Sequence, residues 1–431
     1  MKKYTQIYNT IKDMIISGEL QAGDKIPSVR NAAANYSVSV TTVQNAYFEL
    51  CADGYIISRD KSGYYVSGIA HSHAEEEETN TESSIIYDLS GGTADEESFD
   101  FSLWQKYIKS ALRQKDRLLS YSQPKGEYDL RCAIAQYIKE RRNVITSPDR
   151  IIVGAGMQPL LHILCSLLDK NLCVSFPDKS FLLGLGVFSD YGFDIHIKDK
   201  NADVIYVSPS HMTRWGNVMP IKRRLELVEY SKEHNSLVIE DDYENEFLYN
   251  VKPTPSLYAL GKDNIIYMSS FSAMLLPGIR ISFMVLNKEL TEKYNQNAFR
   301  YAQTAGKTEQ IALCSYIRDG RIGSQTRKIR RIYSAKTKRF AGILQELLPD
   351  ADIQIGENTL QIVLKTKWNG DTKEFEKAGI KVFIQNLENN EITLVISPSG
   401  VPNAELPKAA EILSQVIMPK RCKPEKNYCN I

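Results

Sequence analysis

The sequence predicts an α/β protein in two parts: a small helical unit closed by a hairpin, and a large domain on a mostly parallel sheet with a small C-terminal α/β subdomain. Three observations predict it. Apolar residues recur at helical spacing through residues 7–50, residues 55–66 alternate around a turn, and helical and strand patterns alternate from about Tyr87 to Met418. At 431 residues the chain is too long for one ordinary domain. The expected divisions are residues 1–67, a connecting stretch 68–84, the large domain 85–418 and a tail 419–431.

Apolar residues make up 43% and charged residues 24%, which fits a soluble chain with a sizeable core. No stretch approaches the roughly 18 uncharged apolar residues of a membrane span. The polar start Met1-Lys-Lys-Tyr-Thr-Gln6 lacks a signal-peptide core. Seven cysteines are scattered without a C-x-x-C pair, so no metal site is expected. Most of them should act as small buried hydrophobes of a cytoplasmic protein. A net charge of +1 gives no hint of nucleic acid, which must be argued from local patterning.

Ile7, Ile11, Met14 and Ile15 form the apolar face of a first helix closed by Gly18. Residues 22–24 make a turn, and Ser28, after Pro27, caps a short second helix to about Tyr36. A third helix carries Val43, Ala46, Tyr47 and Leu50 on one face. Its opposite, N-terminal face presents Ser39, Thr41, Thr42 and Gln44, short polar groups suited to base edges and phosphates. Tyr55 to Val66 alternates and turns between Asp60 and Gly63, as a two-stranded wing does.

The ordered pieces SGELQAGDKIPSVR (17–30), VSVTTVQNAYFELCADGY (38–55) and SRDKSGYYV (58–66) resemble the GntR-type winged helix. That resemblance implies operator DNA as a partner. It places Lys25, Ser28, Arg30, Thr41, Thr42, Gln44 and Lys61 near the duplex, with Ser39 and the wing-turn Gly63 beside them. Val40 departs from the pattern, since the family commonly has arginine there. Seven Lys/Arg against six Asp/Glu in residues 1–67 make the unit only weakly basic, but net charge reports the non-specific term alone. Residues 68–84 lack periodicity and aromatics and read as an acidic, solvated tether, in which His71 and His73 are not expected to bind metal.

In the large domain, Ile151-Ile-Val153 reads as a short strand, Gly154-Ala-Gly156 as a tight turn, and Met157-Gln158-Pro159 as a helix opening. Such a turn offers backbone N–H groups and a positive helix end to a phosphate. Asp241 and Tyr243 follow the strand Leu237-Val-Ile-Glu240, where a cluster of acids is either a structural network or a ligand position.

The motifs YSQPKGEYDLRCAIAQYIKERRNV (121–144), IIVGAGMQPLLHIL (151–164), VIYVSPSHMTRWGNVM (204–219), LVIEDDYENEF (237–247) and YMSSFSAMLLPGIR (267–280) resemble fold-type I aminotransferases. With the winged helix in front, the chain is similar to the MocR branch of the GntR regulators. The resemblance implies a pyridoxal-phosphate pocket and a homodimer. Asp241 would face the pyridine nitrogen and Tyr243 the ring hydroxyl. Gly156, Met157, Gln158, Ser272 and Arg280 would hold the phosphate, and His211 is retained.

The departures matter as much. Ala273 stands where the family's Schiff-base lysine would be, and alanine offers no amine. Lys179 falls where an aromatic would stack on the cofactor, although Phe181 is near. The family's substrate-side loop reads Pro209 to Gly216 in altered form. No arginine occurs between Arg339 and Arg421, so the usual carboxylate clamp is missing. Eight Lys/Arg between Arg321 and Arg339, with no acid, read as one solvated helix face.

The expectation is a cytoplasmic, non-enzymatic, DNA-binding regulator. Its aminotransferase-like domain would dimerise and sense a small effector, with pyridoxal phosphate held non-covalently at most. An aminotransferase carrying a DNA-binding head is the rival reading, and a ligand-free dimeric repressor a third.

Overall fold

The chain divides into two units, Met1–Glu82 and Ser83–Ile431. A computed structural model describes residues 3–60, 62–68, 85–199, 201–210, 218–243, 255–356, 360–388 and 390–418, and the architecture given is that of these residues.

The first unit is built from α1 (Lys3–Ile16), α2 (Val29–Asn35), α3 (Val40–Ala52), β1 (Ile56–Arg59) and β2 (Gly63–Val66). Each helix starts or stops for a local reason. Gly18, at φ +79°, takes the left-handed turn that stops α1. Ser28 accepts the Asn31 N–H (3.3 Å) and Ser39 the Thr42 N–H (3.2 Å), two side-chain N-caps. Ile7, Ile11, Ile15, Val43, Ala46, Tyr47 and Leu50 meet in one buried core with Ile56 and Val66 of the antiparallel hairpin. Tyr47 is fully buried, and its hydroxyl donates to the Pro27 carbonyl (2.9 Å), which ties α3 to the turn before α2.

In the second unit the strands are, in chain order, β3 (Tyr87–Asp88), β4 (Ile151–Gly154), β5 (Cys173–Phe176), β6 (Asp194–Ile197), β7 (Val204–Val207), β8 (Leu237–Asp241), β9 (Ile265–Ser270), β10 (Ser282–Val285), β11 (Asp352–Ile355), β12 (Ile362–Lys367), β13 (Ile380–Lys381), β14 (Phe383–Glu388) and β15 (Glu391–Ile396). The helices are α4 (Phe101–Leu112), α5 (Lys115–Leu118), α6 (Tyr128–Arg142), α7 (Met157–Leu167), α8 (Leu182–Asp190), α9 (Ile221–Glu233), α10 (Leu257–Gly261), α11 (Lys288–Asn297), α12 (Lys307–Arg318), α13 (Arg321–Leu347), α14 (Lys373–Lys377) and α15 (Leu406–Ile417).

The main sheet runs in the order β4-β10-β9-β8-β7-β5-β6. It is parallel except for β10, which is antiparallel to both neighbours. Strands such as Ile151–Gly154 and Val204–Val207 are buried along their whole length, because both faces of a parallel sheet are covered. One face packs residues of α6, α12 and α13; the other packs α7, α8 and Tyr294 of α11. A second, antiparallel sheet of order β11-β12-β15-β14 forms the C-terminal subdomain with α15, and β3 closes on it beside β13.

Helix α13 spans 27 residues and belongs to both cores: Ile322, Ile329 and Tyr333 to the first, Phe340, Ala341 and Leu344 to the second. The basic run is therefore not one solvated face. Lys336 is buried, paired with Asp95, and donates to the carbonyls of Val401 (2.6 Å) and Ser399 (3.2 Å). A buried ammonium needs all three of its donors met, and here they are. The remaining seven basic residues are exposed or half-buried.

Candidate functional site

Three consecutive acids at the end of β8 point in different directions. Successive strand residues face opposite sides of a sheet. Glu240 and Asp242 therefore share one face, and Asp241 takes the other. Asp242 is ion-paired to Arg142 at the end of α6 (2.7 Å) and accepts from Tyr267 (2.9 Å) and Ser210 (3.0 Å), all buried. Glu240 accepts the N–H groups of Leu257 (2.8 Å) and Tyr258 (2.9 Å), which sets the first turn of α10. Arg224, fully buried in α9, donates to the carbonyls of Met219, Pro255 and Pro209 and so pins the segments on either side of residues 211–217.

Asp241 accepts from the Tyr206 hydroxyl at 2.6 Å. Burial, then the charge of Asp241, raises the Tyr206 phenol well above its ordinary range, so it stays a neutral donor. The Tyr206 ring stacks on Phe176 and meets Phe181 edge-on. Of the two alternatives left open by the sequence, the structural network describes Glu240 and Asp242, while Asp241, on the opposite face, lines a cavity.

That cavity, of about 450 Å³, is lined by Gly156, Met157, Phe181, Asp241, Tyr243, Ser272, Ala273 and Arg280, with Tyr206, Ser270 and Ser282 behind them. Gly156 caps α7 at φ +92°, and a Cβ there would lie 2.5 Å from Arg280 Nη2. Glycine is required both by the backbone angle and by the closeness of the guanidinium. Arg280 itself sits in the left-handed region at φ +48°, turned toward the N-terminal end of α7. Ser282 donates to Ser270 (2.9 Å), and the Ser272 N–H to Ser270 (3.2 Å). The Ser272 hydroxyl is buried and meets no partner among the described residues.

Of the expected residues, Gly156, Met157, Asp241, Tyr243, Ser272 and Arg280 come together. The side chain of Gln158 does not join them. One helical step of about 100° turns it out to solvent, leaving only its backbone N–H in the first turn. The turn itself is also partly satisfied, since the Ala155 N–H is taken by Thr304 (2.9 Å) and the Gly156 N–H by the Gly154 carbonyl (3.0 Å). His211 lies outside the described residues. Phe181, not Lys179, reaches the cavity; Lys179 is exposed on the preceding turn.

Ala273, in the turn after β9, opens onto this cavity and onto an adjoining one of about 400 Å³. The second is lined by Ser90, Thr93, Gln361, Ser397 and Ser399, and no lysine or arginine lines it among the described residues.

On the winged helix, Lys25, Ser28, Arg30, Ser39, Thr41 and Gln44 are exposed, while Thr42 and Gly63 are half-buried and Lys61 lies outside the described residues. Val40, in the first turn of α3, is exposed too. The sequence reading missed Tyr65. Its ring carries Arg59 (4.5 Å) and Lys25 (5.7 Å), holding two cations together beside the wing.

A small-helix-and-wing unit and an aminotransferase-fold unit define the class: a DNA-binding regulator with an aminotransferase-like domain. Residues 3–66 match the family of bacterial regulatory proteins of the gntR type, and residues 190–409 match aminotransferase class I and II. The HTH-type transcriptional regulator YdeL of Bacillus subtilis (strain 168) is 33% identical over 408 residues, covering 88% of each chain. The rhizopine catabolism regulatory protein MocR of Rhizobium meliloti is 26% identical, covering 80% of this chain and 78% of its own. The pyridoxine biosynthesis regulator PdxR of Corynebacterium glutamicum is also 26% identical, covering 80% and 79%. Among solved structures, an archaeal alanine:glyoxylate aminotransferase superposes with a TM-score of 0.68 at 19% identity, over 77% of this chain and 90% of that one. The chain belongs to the MocR- and PdxR-type HTH transcriptional regulators. No helix among the described residues is long and apolar enough to cross a membrane.

Glu240, on the face of β8 away from the cavity, gives the fold a pH signature. Burial, then the charge of Asp242, pushes its carboxyl up to about 7, against the opposing pull of Arg142 and two backbone N–H groups. A raised acid binds its proton more tightly when folded. Its stabilisation is therefore whole below the usual glutamate range and lost as pH rises through about 7. Glu240→Gln should gain thermal stability relative to wild type as pH is raised from about 5 to about 7.5. A difference in melting temperature that stays constant over that range would mean that Glu240 is ionised throughout.

Proposed function

We propose that this regulator binds operator DNA through α3 and the wing, dimerises through its aminotransferase-like domain, and senses a phosphate-bearing effector of the pyridoxal-phosphate kind without forming a covalent bond to it. One observation carries the reading. Gly156, Ser272, Arg280 and Asp241 line one cavity, and Ala273 stands in the same lining where the resemblance would put the Schiff-base lysine.

The fit to such a ligand is physical. Arg280 lies against Gly156, so close that a Cβ would collide with it, and a cation at the positive end of α7 is a phosphate cradle. The buried, unpartnered Ser272 hydroxyl faces the same space. Asp241, held by Tyr206, supplies a buried carboxylate at the far end for a pyridine nitrogen. When bound, the cofactor supplies an electron-withdrawing ring. The residues around it would bind and orient, but among the described residues none of the cavity-lining side chains is an amine that can anchor it or move a Cα proton. With no arginine between Arg339 and Arg421 to form a carboxylate clamp, the site favours a sensor over an aminotransferase. Occupancy changes operator affinity only if the ligand binds the DNA-competent and DNA-incompetent states differently.

A second copy is the natural cover for an exposed apolar face. Leu119 (86% exposed), Tyr121 (102%) and Phe299 (82%) lie on two segments that are locked together, Gln303 donating to Pro124 O (3.2 Å) and Lys307 to Ser120 O (2.8 Å). Large rigid aromatics left in water mark an interface. Sedimentation should show a dimer at micromolar concentration, and Tyr121→Asp with Phe299→Asp should sediment as a monomer; an unchanged dimer would put the interface elsewhere.

Spectral titration tests the sensor. Pyridoxal phosphate should bind saturably, borohydride should fix none of it to the protein, and Arg280→Gln should weaken binding by about 10- to 100-fold. Borohydride trapping on wild type would overturn the non-covalent reading, and no binding at all would remove the cofactor from it.

A further inference from the structure

Away from that cavity, the connection from β6 to β7 departs from the usual geometry of a parallel sheet. The two strands flank β5, so the chain must cross it to return to the start of β7. Parallel crossovers ordinarily take a dozen or more residues, usually with a helix. This one takes the six residues 198–203. Lys198, at φ +58°, turns the chain sharply at the end of β6, and the face that a crossover helix would cover is left open. A cavity of about 660 Å³, lined by Ser175, Ile205, Val207, Leu227 and Asp199, lies there.

On that open face the register of β5 and β6 sets Cys173 directly opposite Asp194, with His196 two residues farther along the same side. One donor atom from each of the three lies within 4.8 Å of the others. His196 Nε2 is 3.0 Å from Asp194 Oδ2, and Cys173 Sγ is 3.9 Å from Asp199 Oδ2, brought back over the strands by the short crossover. Asp203 accepts the Cys173 N–H (2.9 Å) and fixes the strand from the other side.

We propose that Cys173, Asp194 and His196, completed by Asp199, form a binding site for a divalent transition-metal ion of the zinc class. Thiolate, imidazole and carboxylate together are the donor set of a borderline-soft cation. Ligands around a tetrahedral ion with the usual bond lengths sit roughly 3.3–3.8 Å apart, a range bracketed by the His196–Asp194 (3.0 Å) and Cys173–Asp199 (3.9 Å) separations. Two carboxylates, Asp194 and Asp199, stand beside the thiol, and His196 pairs with the first of them, an arrangement that a divalent cation neutralises. The ion would clip the mostly exposed edge strand β6 to β5 and hold the helix-free crossover in place. Spacing in the sequence conceals the set, because its members come from two strands and a loop with no C-x-x-C or His pair.

The test uses the full chain, untagged, with His71, His73, His211, Cys422 and Cys429 replaced so that histidines and cysteines outside the described residues cannot contribute. After metal removal, one equivalent of cobalt(II) should bind with a thiolate-to-cobalt charge-transfer band and tetrahedral visible bands, and zinc should displace it. Cys173→Ser should abolish the charge-transfer band. His196→Gln should weaken binding by at least the roughly 10- to 100-fold that loss of even an outer-shell partner costs. Asp194→Asn, at a side chain 74% exposed and so harmless to folding, should weaken it as well. Cobalt bound without charge transfer, a band that survives Cys173→Ser, or no binding below millimolar cobalt would overturn the proposal.

Discussion

The ion pair between Arg142 and Asp242 is the constraint on which the placement of the candidate site depends. It joins the last residue of α6 to the residue just past β8, and both partners are almost wholly buried. A charge buried this way is tolerable only when paired and hydrogen-bonded, and loss of one partner typically costs about 3–5 kcal/mol. Tyr267 of β9 and Ser210 beyond β7 complete the shell of Asp242, so three chain segments are drawn to one carboxylate. Because strand residues alternate, fixing Asp242 on one face commits Asp241 to the other. The cavity-facing acid is thereby positioned by a structural neighbour that never enters the cavity.

The same economy appears at the far end of the cavity. Gly156 and Arg280 each occupy a left-handed backbone conformation, and each is shaped to the other. Such strain persists where surrounding structure over-determines it. Under the proposed sensor reading, the departures from the enzymes are Ala273, in the turn after β9, and the lack of an arginine between Arg339 and Arg421. Kinship with HTH-type transcriptional regulators gives the winged helix its role, and the frame of the cavity is what the proposed sensing rests on.

Local signals in the sequence were sufficient for much of this. The cap Ser28, the glycine stop of α1, and the strand–turn–helix at residues 151–167 depend on neighbours a few residues apart, and they stand where propensity places them. Contacts that depend on strand register or distant burial were not legible. Asp241 and Asp242 look equivalent until the pleat separates them. Lys336 is indistinguishable from its basic neighbours until Asp95 and two carbonyls enclose it. Tyr206 gives no sign that it will hold Asp241, nor Tyr65 that it will gather Lys25 and Arg59. Cys173 and His196 lie 23 positions apart and meet only because β6 pairs with β5.

The central claim is that the cavity is intact except at residue 273, and restoring the missing amine tests it most directly. Ala273→Lys should capture pyridoxal phosphate in a bond that borohydride makes permanent, with peptide mapping placing it on residue 273, while wild type under the same conditions retains none. If the lysine variant folds with an unchanged circular dichroism spectrum yet captures no pyridoxal phosphate, the frame formed by Gly156, Arg280, Ser272 and Asp241 is not a cofactor site.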